Sequence, residues 1–260
     1  MKFKRQGQLW VPSRDIYRPD RYQRYRRRFQ KPTLGFTFVN SSAGFDSSAP
    51  YTGSLTGVTA GNLLVILVQG DNNITYTAMS GNGNTYVQAT SAYSSNGSTR
   101  NVDIWYVLSA NSGNTTITIT PSATPIAIDV HIYEFSYTGG TLAFDLAATA
   151  SGSGVLSTTA SITTATANEL LVSLVVNNGN NSSTVTQPST WAADIGSDGT
   201  LGANSSYLAD AGVAGSKSAN WSWPSFANYN QSIVAFKIVA GATTKPWYYY
   251  RNQKALVGNT

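Results

Sequence analysis

Beyond residue 34 the chain is written in short apolar or alternating runs: GFTFVN, NLLVILVQ, NTYVQAT, VDIWYVLSA, TTITIT and IAIDVHIYEF. TTITIT sets an isoleucine at every second position, the period of a half-buried strand. The run from Leu63 to Val68 is apolar on both parities, as a central strand covered on both faces requires. Gly81-Asn82-Gly83-Asn84 and Asn111-Ser112-Gly113-Asn114 separate the runs with residues that close tight turns. No segment of this region carries the period of a long helix, so the pattern predicts an all-β, antiparallel fold.

The second half answers the first. Ala60-Gly61-Asn62-Leu63-Leu64-Val65 returns as Ala167-Asn168-Glu169-Leu170-Leu171-Val172, an offset of 107. Thr85-Tyr86 aligns with Thr190-Trp191, Tyr106 with Tyr207, and Ile132 to Phe135 with Ile233 to Phe236, the offset shrinking to 101 as loops shorten. Duplication predicts two pseudo-repeats, about 36–138 and 139–240. Two such strand sets form either the halves of one sandwich or two tandem domains. Because no Pro-rich or charged linker lies near residues 138–168, the expectation is one domain, 34–240.

Residues 1–33 follow another rule. They hold eleven Lys/Arg against Asp15 and Asp20, about +9, whereas residues 34–260 hold six basic and ten acidic side chains, about −4. The overall charge of +5 therefore conceals a basic arm on an acidic body. Within RPDRYQRYRRRFQKP, Asp20 is placed as an N-cap, Gln23 follows three residues later, and Pro32 stops the helix. Tyr22, Tyr25 and Phe29 would share one face, ringed by Arg21, Arg24, Arg26, Arg27 and Arg28. So short a helix, with like charges at Arg24 and Arg28, needs a partner to order it. A plain solubilising tail would have no use for these spaced aromatics, nor for Trp10 and Tyr17. Residues 241–260 contain a second aromatic segment, Trp247 and Tyr248, Tyr249 and Tyr250, past the last strand run. The arm is expected to be extended or partly helical, and the aromatic tail to be a second docking segment.

Composition narrows the chemistry. Charged residues are only 11% of the chain and cysteine is absent, which excludes disulfides and thiolate metal sites. The opening MKFKRQGQLW has no apolar core behind its cations and the longest aliphatic run has six residues, so neither a secretion signal nor a membrane span is expected.

The strand start A-G-N-L-L-V, the turn G-N-T-Y at Gly83 to Tyr86, I-W-Y-V at Ile104 to Val107, Y-E-F-S and the closing I-V-A-F-K at Ile233 to Lys237 are strings with a precedent. Across about residues 36–240 the chain resembles the jelly-roll-like β-sandwich domains of phage structural proteins and bacterial surface proteins. The resemblance implies a jelly-roll-like sandwich used for display, adhesion or glycan contact. The Leu-Trp-Val-Pro-Ser-Arg arm is similar to the anchoring tails of virion proteins.

Catalytic sets are poor. His131 is the only histidine, and alternation in IDVHIYEF turns it to the face opposite Ile128, Val130 and Ile132, where a solvated strand histidine belongs. Glu134 falls on the core parity, for which a local bulge is the simpler explanation. Asp103, Asp129, Glu134 and Asp145 contain no glycosidase pair that spacing alone identifies. Asp71-Asn72-Asn73 and Asp194 with Asp198 fit no defined calcium loop. No catalytic, metal or cofactor site is expected, and no enzyme. Trp221 and Trp223 share a strand parity and either stack on sugar rings or fill the core, the core being the stronger expectation.

The reading that accounts for the arm is a virion structural protein, a capsid decoration, cement or fibre-type component assembled in the host cytoplasm. Its partners would be capsid or tail subunits and further copies of itself. The alternatives are a jelly-roll capsid protein whose arm contacts the genome and a carbohydrate-binding adhesin module.

Overall fold

The computed structural model describes residues 33–71, 74–92, 100–178, 184–192, 195–196 and 202–241; the anchoring arm up to Pro32 and the tail from residue 242 lie outside them. Thirteen strands form the described chain. The first half contains β1 (Gly35–Asp46), β2 (Tyr51–Val58), β3 (Leu63–Gly70), β4 (Tyr76–Ser80), β5 (Val87–Ala92), β6 (Asn101–Val107), β7 (Gly113–Pro121) and β8 (Ile128–Thr138). The second contains β9 (Gly140–Thr164), β10 (Leu170–Asn177), β11 (Ile195–Gly196), β12 (Ala203–Leu208) and β13 (Gly215–Ala240).

The first half winds as a jelly roll. An inner sheet runs β1-β8-β3-β6-β5 and an outer sheet β2-β7-β4, every pairing antiparallel. Strands 1 with 8, 2 with 7 and 3 with 6 thus pair across the wound chain. β5 leaves the pattern by joining β6 on the inner sheet. The second half follows the same path with fewer breaks. Residues 140–152 of β9 pair with 229–240 of β13 as β1 pairs with β8, and residues 157–164 pair with 215–222 as β2 pairs with β7. β10, β12 and β11 stand where β3, β6 and β5 stand, and the single bridge Thr186–Ser222 replaces β4. Register shifts at Ser222, Ala227 and Tyr229 mark where the long hairpin bends over. Gln231 therefore donates to the Ala219 carbonyl at 2.9 Å and accepts from Thr158 Oγ1 at 2.9 Å, bonds across a doubled-back hairpin.

Three cores hold these layers. Leu63, Val65 and Leu67 of β3 point one way, into a core shared with Leu170, Val172, Leu174, Val234 and Phe236 of the second inner sheet. Leu64, Ile66 and Val68 point the other way, against Leu55, Tyr76, Ile117 and Ile119 of the first outer sheet. On the far side, Leu171, Val175, Ile233 and Ala235 pack against Ala160, Ile162, Ala219 and Trp221 of the bent hairpin. The two inner sheets therefore face each other and each is buried twice, which is why β3 and β10 are apolar on both parities. Each fully buried aliphatic side chain contributes about 1.5–3 kcal/mol of transfer free energy.

The recurring A-G-N-L-L-V string has a structural use. Gly61 at φ 84° and Asn168 at φ 60° turn the backbone left-handed immediately before β3 and β10. Gly61 N–H then donates to the Ala110 carbonyl (2.8 Å) and Ala110 N–H to the Asn62 carbonyl (2.9 Å). In the second half Asn168 N–H reaches the Gly212 carbonyl (2.7 Å) and Ala211 N–H the Glu169 carbonyl (3.0 Å).

Candidate functional site

The expected solvated histidine is a correction. His131 is fully buried, because the face of β8 opposite Ile132 is covered by the second inner sheet. Its Nδ1 lies 2.6 Å from Ser205 Oγ on β12, and Tyr133 OH donates to the Ser205 carbonyl at 2.9 Å. Burial pulls the imidazole down to about 4, so it is neutral at pH 7. A neutral imidazole sealed between two sheets cannot meet a substrate.

Glu134 needs no bulge of its own. It is fully buried on the core parity, where its Oε1 accepts from Thr59 N–H (2.8 Å) and Asn62 Nδ2 (2.6 Å) and pins the turn into β3. The irregularity lies across the pair, at Val39 of β1. Asp103 is also fully buried, accepting from Gln88 Nε2 (2.9 Å) and Asn101 Nδ2 (3.0 Å); burial outweighs these bonds and raises its carboxyl to about 6. Asp129 is buried at the start of β8, near the Arg100 guanidinium. Asp145 sits on β9 in an ion pair with Lys237. Burial raises the Tyr76 hydroxyl and Asp103 and Asp129 both add to this, whereas Glu134 sits at the turn into β3 and Asp145 beside Lys237. Two surface concavities of about 340 Å³ each, one beside Asn84 and Asn111 and one beside Pro50 and Pro121, are lined without a carboxylate, histidine or cation. Among the described residues no group of three His, Cys, Asp or Glu is placed to hold a metal.

Trp221 and Trp223 are placed as core residues. They are 0% and 4% exposed, with Nε1 donating to Ser173 Oγ (3.2 Å) and to the Val155 carbonyl (2.8 Å). Neither ring presents a face on which a sugar could stack. The large exposed aromatic of that segment is Phe226, at the bend after Pro224.

The arm residues Trp10, Tyr17, Arg21, Tyr22, Arg24, Tyr25, Arg26, Arg27, Arg28 and Phe29, and the tail residues Trp247, Tyr248, Tyr249 and Tyr250, lie outside the described residues. Their points of attachment do not. The chain enters the sandwich at Thr33, whose carbonyl accepts from Thr138 Oγ1 at 3.1 Å, and Gly35 pairs with Thr138. It leaves after Ala240, which pairs with Gly140. Thr138, Gly139 and Gly140 form one turn, so both attachment points flank a single short segment at one pole. Sequence could not reveal this, because it depends on β1 and the end of β13 being brought to opposite ends of the same β8–β9 connection.

Charge divides along the same lines. Residues 34–241 hold ten acidic side chains and three basic ones (Arg100, Lys217, Lys237), about −7, while residues 242–260 add Lys245, Arg251 and Lys254 without an acid. The cations of this protein are concentrated in the two segments rooted at that pole. β1 starts there too; it is an edge strand of the first inner sheet and exposes Phe38, Val39 and Phe45. Comparison with protein-family models, with curated proteins and with solved structures finds no match to this chain.

Proposed function

We propose that this protein is a virion structural component, a decoration, cement or fibre-type protein whose double sandwich is displayed while the basic arm and aromatic tail lie on neighbouring subunits. The observation that carries this reading is the common root of the two segments beside Thr138 to Gly140. Two cationic, aromatic segments leaving one pole of an acidic body form a single bipartite anchor, and linked contacts bind far more tightly than either alone. Display is supported by the described body, where Asp103, Glu134, Asp145 and His131 make bonds within the fold.

The test is incorporation into particles. A chain lacking residues 1–31 should fold with an unchanged circular dichroism spectrum, because every described strand begins at Gly35 or later, yet fail to enter particles. The triple variant Tyr22→Ser, Tyr25→Ser, Phe29→Ser keeps every arginine and should also fail, because docking buries the rings. Normal incorporation of the triple variant would overturn the docking reading. The eleven cations favour a second reading, an arm that neutralises genome phosphates. That alternative requires submicromolar duplex binding with a log–log salt slope of roughly −7, lost on deleting the arm.

A further inference from the structure

The second repeat brings together three ionisable side chains that the first repeat lacks. Asp145 on β9, Lys237 on β13 and Glu169 at the start of β10 occupy adjacent strands. Leu170 pairs with Phe236, which sets Glu169 beside Lys237; Phe236 pairs with Phe144 and Ala235 with Leu146, which leaves Asp145 as the extra residue of a bulge between them. Ile233 and Ala235 face the outer core of this repeat, so Lys237, next in that alternation, projects from the same face. Lys237 Nζ forms an ion pair with Asp145 Oδ1, at side-chain exposures of 28% and 7%. The Glu169 carboxyl lies near Asp145, whose charge acts on it. Its Oε1 is fixed by Thr166, from the backbone N–H at 3.0 Å and from Oγ1 at 2.5 Å.

Two carboxyl groups set near each other disfavour two negative charges, which favours a proton on one of them. Burial, with the Asp145 charge adding to it, raises the Glu169 carboxyl, which makes it the readier of the two to hold a proton. The first repeat, with the same backbone, has Val39 at its bulge, Ser136 at the β8 position and Asn62 before β3. The fold therefore does not demand the Lys237–Asp145 pair, although a carboxyl serves the turn in both repeats, Glu134 on Thr59 N–H and Glu169 on Thr166 N–H. A carboxyl, an amine in contact with it and a second carboxyl nearby that takes up a proton readily are the parts that amide formation requires.

We infer that Lys237 and Asp145 are joined by an intramolecular isopeptide bond, with Glu169 as the catalytic proton donor and acceptor. A proton passes from the Lys237 ammonium to the carboxyl pair, and the neutral Nζ attacks Asp145 Cγ while the Glu169 acid polarises its C–O bond. The Nζ–Cγ bond forms, one Cγ–O bond breaks, and that oxygen departs with two protons as water. Glu169 ends protonated as it began, and nothing is oxidised or reduced. Holding amine and carboxyl in contact supplies the proximity that makes the step effectively unimolecular. The product ties the last strand to β9 three residues before Ala240, so the point from which the tail leaves cannot be peeled away. This bond is independent of whether the protein belongs to a virion.

Intact mass of the full chain, folded and then denatured, tests the bond. The folded chain is expected to be one water lighter than its sequence, and protease digestion should release a branched peptide linking β9 to β13. Lys237→Arg preserves the positive charge but cannot form this amide; it should fold and have its full sequence mass. Glu169→Gln keeps both reacting groups and should also stay at full mass after the same incubation. A folded wild-type chain at full mass overturns the inference, as does a water loss that persists in Lys237→Arg. Water loss undiminished in Glu169→Gln overturns the role given to Glu169.

Discussion

At the scale of single residues, the polar groups of this protein do structural work in places where sequence suggested exposure. Parity alone assigned His131 to a solvent face, and parity cannot tell whether a second sheet covers that face. His131 and Asp103 oppose each other in pH dependence. Asp103 is raised from 3.8 to about 6, so the stability of its protonated form is present at low pH and is lost as pH climbs through about 6. His131 is lowered from 6.5 to about 4, so folding becomes harder as pH falls through that window, where the unfolded chain binds the proton and the folded one does not. Between about pH 4 and pH 6 the two slopes nearly cancel. Asp103→Asn removes the falling slope and keeps one acceptor for Gln88 or Asn101. The stability difference between variant and wild type should grow by up to about 3 kcal/mol in the variant's favour from pH 4 to pH 6. Urea denaturation at pH 4, 5 and 6 measures it, and a pH-independent difference would show that Asp103 ionises freely in the folded chain.

Elements were more legible than residues. The six quoted runs each fall on a strand, and the both-parity run at Leu63 to Val68 lies at the centre of an inner sheet, because periodicity reports burial and burial is what places a strand. The length of β9 and β13 was not legible: their bends need only a bulge and a glycine or proline, with no turn sequence between two apolar runs. The duplicated string offers a sharper test of how local sequence serves an element. Gly61 and Asn168 have the same left-handed role, and a Cβ built at Gly61 meets nothing within 4 Å, so only backbone preference opposes substitution there. Gly61→Ala should cost about 1–2 kcal/mol, the penalty for an L-residue in that region, whereas Gly61→Asn should cost less, because asparagine adopts this conformation more readily and serves at the equivalent turn. Equal losses for both variants by denaturant titration would mean that the turn into β3 is set by something other than this residue.

For the whole molecule, the decisive feature is that the largest apolar core belongs to neither repeat. Leu63, Val65, Leu67 and Phe135 meet Leu170, Val172, Val234 and Phe236 across the inner sheets, and His131, Tyr133 and Ser205 add polar contacts there. Separating the repeats would expose both of these faces at once, at about 25 cal/mol for each Å² of apolar surface. A single cooperative transition is therefore expected despite two wound units in the sequence. Phe236→Ala probes the coupling, since Phe236 belongs to the second repeat but packs edge-on against Tyr106 of the first, ring centroids 5.4 Å apart. Its removal should cost about 3–5 kcal/mol and lower the melting temperature by about 10 °C without splitting the transition. Native-state hydrogen exchange gives the residue-resolved version of this test: protection in β3 and β10 should fall together, because the opening that exposes one exposes the other. If protection falls in β10 while β3 keeps its wild-type value, the repeats open separately, and the shared core does not bind them into one folding unit.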